Sequence, residues 1–268
     1  MTELQASGPL KDLGQPAPAI SVVVPVKNEA GNIAPLVAEI AAALQGRSFE
    51  IVYVNDGSED ATEAELLGLM EKLPCLRQIR HDKSFGQSAA VRTGVAMARG
   101  AIVVTLDGDC QNDPAYIPEM IATLEAAPRV GLVAGQRVGR KSGAYKTLQS
   151  YIANNVRRRV LNDGTRDTGC GMKAFRRDLF QSLPYFDGVH CFLPALVRRE
   201  GFDIGYVDVV DRPRRLGISN YGMWNRLGVG ILDMAGVWWL IRRRKHIPRP
   251  EEVTPGSLTD RAPSSRQG

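Results

Sequence analysis

The chain has 268 residues, 44% hydrophobic and 24% charged, and its 34 Lys and Arg against 29 Asp and Glu give a formal net charge of +5. Those proportions exclude a disordered or fibrous chain and supply enough apolar material for one large core, in one to one and a half domains. Four cysteines without CxxC spacing exclude a disulfide framework and a cysteine-rich zinc site, so reduced thiols in a cytoplasmic protein are expected.

Basic residues cluster at 156–160 (VRRRV) and 242–246 (RRRKH). Aromatics are only 6% of the chain and do not interleave with these clusters, so a nucleic-acid partner is not expected. Solvated helix faces or an anionic membrane surface remain open for them.

Residues 1–18 are polar, carry Pro and Gly, and lack the apolar core of a signal or transit peptide; they read as a disordered tail. Then apolar β-branched runs alternate with helical periodicity. Strands are expected at 20–26 (ISVVVPV), 49–56 (FEIVYVND), 76–81, 101–107 (AIVVTLD) and 130–137 (VGLVAGQR), with helices over 32–45, 59–73, 86–100 and 114–127. From 140 onward the pattern is helix-rich, with one more strand at 204–210 and a last amphipathic helix over 223–246. Residues 247–268 read as a second disordered tail. No run reaches the roughly 18 apolar residues of a spanning helix; the nearest, 227–241, is interrupted by Asp233.

Val- and Ile-rich strands without polar alternation are buried on both faces, and βαβ repetition makes a mostly parallel α/β sheet. Ligands in such sheets gather beyond the carboxyl ends of the strands. The polar signatures lie there: KNE after the first strand, NDGS after the second, DGDCQND after the fourth.

The last of these crowds Asp107, Asp109 and Asp113 together. Like charges that close need a counter-cation or a shared proton. Hard divalent cations, Mg²⁺ or Mn²⁺, take such oxygen ligands together with substrate phosphates, and Gln111 adds a carbonyl oxygen two residues on. No GxGxxG or GxxxxGK[ST] loop is present, so a metal-bridged diphosphate is expected instead of a glycine-loop cradle. Asp56, in VNDGS, is either a turn residue or a carboxylate that receives a nucleoside, and Ser58 is a candidate helix cap. Asp113 before Pro114 is a candidate helix start. The loop at 211–222 brings Arg212, Arg214 and Arg215, suited to anions or to solvent.

VVVPVKNE, VNDGS, GQSAAVRTG, LDGDCQNDP, GQR, RDTGCGMKAF and RPRRLGISNYG occur in the order and spacing of family-2 glycosyltransferases. Over residues 20–241 the sequence resembles their dolichol-phosphate mannose synthase and bacterial polyprenyl-phosphate branch. The resemblance implies a GT-A fold over 19–222, a nucleotide-sugar donor, a divalent metal and a polyprenyl phosphate acceptor. By position, Pro25, Glu29 and Asp56 would contact the nucleoside. Asp107, Asp109 and Gln111 would hold metal and diphosphate. Arg137, Lys146 and Ser150 would grip the acceptor phosphate, and Arg214 and Ser219 would close over the donor. Departures are Asp211 where relatives often have His, Asn220 where they often have Lys, and Lys146 where Arg is common.

A phosphate acceptor needs no general base, so direct displacement with inversion is the expected chemistry. Since its lipid lies in a bilayer, peripheral binding at the cytoplasmic face is expected. The stripe Leu227, Ile231, Met234, Trp238 and Ile241, with Trp238 and Trp239 at headgroup level and 242–245 on anionic lipid, would provide it. The same stripe would equally pack on its own domain, on an integral-membrane partner or on a second copy. Two other readings stay open: a catalytically silent nucleotide-sugar-binding protein acting with a membrane partner, and a transferase with a saccharide acceptor, which would need a base. A sugar-nucleotide pyrophosphorylase is disfavoured, because no Gly-rich, Arg-bearing stretch follows the first strand.

Overall fold

The computed structural model describes residues 17–138, 157, 160–161, 163–165, 167–213 and 225–244. Its centre is a seven-stranded sheet in the order β3-β2-β1-β4-β6-β5-β7. In chain order these are β1 (Ile20–Val26), β2 (Phe49–Asp56), β3 (Leu76–His81), β4 (Ile102–Thr105), β5 (Val130–Arg137), β6 (Lys173–Arg176) and β7 (Asp203–Val209). The helices are α1 (Ile33–Ala43), α2 (Thr62–Met70), α3 (Gln87–Met97), α4 (Ile117–Ala126), α5 (Arg177–Ser182), α6 (Val189–Arg199) and α7 (Asn225–Arg242). All pairings are parallel except those of β6, which runs antiparallel to β4 and to β5.

Successive side chains of a strand point to opposite faces, and both faces of this sheet are covered. Val22 and Val24 join Leu36, Ile40, Met120 and Leu124 in one core, on the side of α1 and α4. Val23 joins Val91, Val95, Phe180, Leu196 and Val237 in the other, on the side of α3, α5, α6 and α7. Continuous apolar runs in β1 and β2 are thereby explained. None of the four cysteines forms a disulfide, and Cys110 and Cys170 are buried. Among the described residues no helix is long and apolar enough to cross a membrane.

The five expected strands from β1 to β5 form with bounds within three residues of those read from the sequence, and β7 within one. The four helices from α1 to α4 are each shorter than their periodicity suggests, and for α2 and α3 the reason is polar. α2 starts at Thr62 because the preceding residues bond to the loop after β1 instead: Ser58 Oγ accepts from the Asn28 amide and Asp60 from Ala30. Ser58 is therefore a loop clasp and caps nothing. α3 ends at Met97, where Arg77 takes the Met97 carbonyl, Arg177 the Ala98 carbonyl, and Ser21 and Glu50 the amides of Gly100 and Arg99. β6 begins inside RDTGCGMKAF and ends one residue beyond it.

Tyr53 is fully buried in β2, and its hydroxyl has no hydrogen-bond partner among the described residues. Burial accordingly pushes its ionisation far up. Tyr53→Phe removes a desolvated polar atom without changing shape, so it should raise stability by about 1 kcal/mol, read as an increased melting temperature.

Candidate active site

Parallel register brings the carboxyl ends of β1, β2 and β4 to one edge: Val23 is paired with Thr105, and Val26 with Asn55. The loops that leave this edge are tied to one another. Behind β1, Asn28 adopts a left-handed conformation (φ 57°), its amide bonded to Ser58 and its Oδ1 accepting from the Glu59 amide at 2.8 Å. The Glu29 amide donates to Thr62 Oγ1 at 3.0 Å, and the Glu29 carboxylate accepts from Asn32 at 2.8 Å. Pro25 lines a pocket together with Gln87, Asp107, Gly171, Lys173 and His190.

Asp56, at the end of β2, is a buried acceptor with four donors. Oδ1 faces His81 Nδ1 at 2.7 Å and accepts from the Phe85 amide at 2.9 Å; Oδ2 accepts from Ser84 Oγ at 2.7 Å and from the Gly86 amide at 2.9 Å. A nucleoside reaches this carboxylate only in exchange for one of these bonds. Gly57 makes the turn possible, since at φ 67° a Cβ would stand 2.7 Å from the backbone of Lys83 and Ser84. Burial alone would push the Asp56 carboxyl up, but its hydrogen bonds outweigh that and hold it below the usual carboxylate range.

Beyond β4 the chain turns through Cys110 in a left-handed conformation (φ 60°), a strained setting for a non-glycine residue and one that favours functional sites. The turn is pinned from inside: Asn112 Oδ1 accepts from the Asp107 amide at 3.2 Å and Asp109 Oδ1 from the Gln111 amide at 3.1 Å. Gln87 Nε2 donates to Asp107 Oδ1 at 2.9 Å. Burial first, and the neighbouring Asp109 second, push the Asp107 carboxyl up to about 6; Lys173 and Arg137 pull it down, and Asp211 pushes it up. Asp113 accepts from the Ala115 amide at 2.9 Å and opens a single 3₁₀ turn at Pro114, as its sequence suggests.

Cations surround the carboxylates. Arg137 binds Asp167 with two nitrogens, one at 2.8 Å, and lies 3.4 Å from Asp211, which itself accepts from Asn112. Burial disfavours the guanidinium charge, but Asp167 and then Asp211 more than restore it. Arg212 is held by Glu39 at 2.6 Å and Asp113 at 2.7 Å, and its amide donates to the Gln111 carbonyl at 2.9 Å. It clamps the Gln111 loop to α1. Gln111 Nε2 reaches the Arg212 carbonyl at 3.5 Å. Lys146, Ser150, Arg214, Arg215, Ser219 and Asn220 lie outside the described residues.

Two features of the site went unread in the sequence. Lys173 is 3% exposed, pairs through its backbone with Thr105, donates its ammonium to the Cys170 carbonyl and lines the pocket beside Asp107. The available signal was a lysine between Met172 and Ala174 in an apolar setting. His190, at the start of α6, lines the same pocket and lies 2.7 Å from Ser88 Oγ, which also accepts from the Gly188 amide at 2.9 Å.

The donors fit a hard divalent cation only in part by themselves. Among the described residues no group of three or more acidic, His or Cys side chains stands ready as a cage. Two carboxylates on one turn, that of Asp107 pushed up first by burial and then by Asp109, suit an ion that completes its shell with substrate phosphate oxygens.

Residues 21–183 match the description glycosyl transferase family 2. The chain is a member of that family. The glycosyltransferase is 34% identical over 243 residues to dodecaprenyl-phosphate galacturonate synthase of Rhizobium johnstonii, covering 87% of this chain and 71% of the relative. It is 30% identical over 217 residues to undecaprenyl-phosphate 4-deoxy-4-formamido-L-arabinose transferase of Pseudomonas paraeruginosa, covering 80% and 63%. The chain thus spans less than two thirds of the length of the second relative. Among solved structures, glucosyl-3-phosphoglycerate synthase of Mycobacterium tuberculosis with Mn²⁺, uridine diphosphate and glucosyl-3-phosphoglycerate superposes with TM-score 0.63 at 20% identity, over 84% of this chain and 80% of that one. A mycobacterial protein superposes with TM-score 0.66 at 24% identity, over 82% and 75%. These likenesses establish the GT-A fold of the transferase.

A Cβ at Gly171 would stand 2.2–2.4 Å from the Asp107 carboxylate. Gly171→Ala should therefore displace Asp107, at a stability cost of about 1–3 kcal/mol read as a lowered melting temperature. Asp56→Asn should lower the melting temperature at pH 7. A carboxyl held below its unfolded pKa stabilises fully above that unfolded value and progressively less as pH falls through the folded one. The gap between variant and wild type should accordingly close as pH drops below about 4.

Proposed function

We propose that the transferase moves a sugar from a nucleoside diphosphate sugar to a polyprenyl phosphate at the cytoplasmic face of the membrane, inverting the anomeric centre. The observation that carries this reading is the meeting of Asp107 and Asp109 with Arg137 and Lys173 at the carboxyl edge of the sheet. The names of the two relatives above support the acceptor class. The Mn²⁺ and uridine diphosphate bound by the mycobacterial synthase support the donor and the ion.

In this reading Pro25, Glu29 and the Asp56-organised loop flank the nucleoside. Asp107, Asp109 and Gln111 would hold Mg²⁺ or Mn²⁺, which when bound supplies Lewis-acid stabilisation of the departing diphosphate. Arg137, with Lys146 and Ser150, receives the acceptor phosphate, and Arg214 and Ser219 close over the donor. A phosphate monoester has a second pKa of about 6 and arrives largely as a dianion, so no side chain must remove a proton from it. The protein's work is to bring this dianion beside a second anion. Arg137 answers that need: its bonds to Asp167 and Asp211 orient it and are exchanged for phosphate oxygens when the acceptor arrives. Lys173 balances the carboxylates from beneath.

The test is a donor panel with undecaprenyl phosphate in detergent. GDP-mannose, UDP-glucose, UDP-GlcNAc and UDP-galacturonate are each run with Mn²⁺ and with EDTA, following nucleotide release and product mass. One donor should yield a glycosyl phospholipid, lost in EDTA. Asp109→Asn should lower turnover by more than about 100-fold with the melting temperature kept. Nucleotide release without lipid product would overturn the acceptor, and EDTA-resistant turnover the metal.

A further inference from the structure

The sequence groups Leu227, Ile231, Met234, Trp238 and Ile241 on one stripe, but the structure divides that stripe. The side chains of Leu227 and Ile231 lie outside the described ones. Val237 is 1% exposed, and Met234, Leu240 and Ile241 pack with it against the core shared by α6. Arg199 Nε donates to the Leu240 carbonyl at 3.1 Å, which fastens the end of α7 to the end of α6. The inner face of α7 is therefore already occupied by its own domain.

The outer face has a different composition. Leu232 is 73% exposed, Trp238 39% and Trp239 54%. At 100° per residue these three share a side of the helix with Ala235, Arg242 and Arg243. The Arg242 guanidinium stands 4.4 Å from the Trp238 ring and that of Arg243 5.7 Å from the Trp239 ring. The helix's single acid, Asp233, lies on the inner side, against Gly188. The exposed side thus carries apolar bulk, two indoles and two cations, with no carboxylate.

We infer that this outer face of α7 docks on an anionic lipid surface, with Leu232, Trp238 and Trp239 at the acyl boundary and Arg242 and Arg243 on headgroup phosphates. Among the described residues of α7 the exposed apolar side chains are three, far short of the 20–30 residues a side of a stable protein interface, whereas a few indoles beside guanidiniums suffice at a bilayer surface. Charge complementarity selects anionic over neutral lipid. The inference rests on the lipid-acceptor reading for its purpose but not for its evidence. Asp233, on the inner side, stands against Gly188, whose amide donates to the Ser88 Oγ that lies 2.7 Å from the pocket residue His190, so the docking helix is built onto the wall of the site.

The test is flotation of the full chain with phosphatidylcholine vesicles, with and without 30% phosphatidylglycerol, at low and high salt. Binding should require the anionic lipid and weaken with salt. Trp238→Ser/Trp239→Ser and Arg242→Gln/Arg243→Gln should each lower it about tenfold or more, with melting temperatures kept. No binding to either vesicle, or binding that both double variants leave unchanged, would overturn the inference. So would retention on native membranes that protease treatment abolishes, since that marks a protein partner, or a dimer in which both indoles become buried. Vesicle binding by a chain inactive in the donor panel would sink the transferase reading alone, and turnover without vesicle binding the docking alone.

Discussion

Asp107 and Asp109 repel each other across one buried turn, and the rest of the site is arranged around that repulsion. Lys173 enters from beneath through a strand inserted the other way round. Arg137 approaches from the side, itself held by Asp167 and Asp211. Gly171, with no side chain, leaves the Asp107 carboxylate the space a Cβ would take. The turn pays for this with a left-handed Cys110, kept in place by Asn112, Gln111 and the bond from its own thiol to the Asn32 carbonyl.

Asp56 serves a related purpose by other means. Three of its four donors belong to the stretch Ser84–Gly86, which they draw against the end of β2, and the fourth is His81. The loop after β1 is fastened in the same manner to the residues before α2. Two flexible-looking stretches thereby become walls of a cleft, built from backbone amides and short polar side chains. Rigid walls of this kind let a cleft select its ligand without large rearrangement.

The five strands to β5 were legible because parallel strands buried on both faces must be apolar throughout. The carboxylates of the site were legible because acids beside a buried strand are costly without a purpose. Less legible were features whose cause lies far away in the chain. β6 holds four residues, two of them basic, and forms because β4 and β5 both need a partner. Lys173 has no local reason to be buried; its reason is Asp107. The early end of α3 depends on Arg177, some eighty residues later. α7 shows the same limit, since its apolar residues are periodic around much of the helix and only contact with α6 tells the inner ones from the outer ones.

The antiparallel β6 also bears on how the chain acquires its shape. β1 to β4 are joined by short crossovers and can pair as soon as they are made. β5 has no neighbour in this first half; it reaches the sheet only through β6, about forty residues later. Such long-range pairing is slow, because loop closure precedes any gain from contact. On a ribosome, β1–β4 would wait with one edge of β4 open until residue 176 has emerged. Gly171 and Lys173 arrive with the strand that closes this gap. A half-folded chain therefore presents the carboxylate turn without its buried cation, and the complete site comes into being together with the complete sheet.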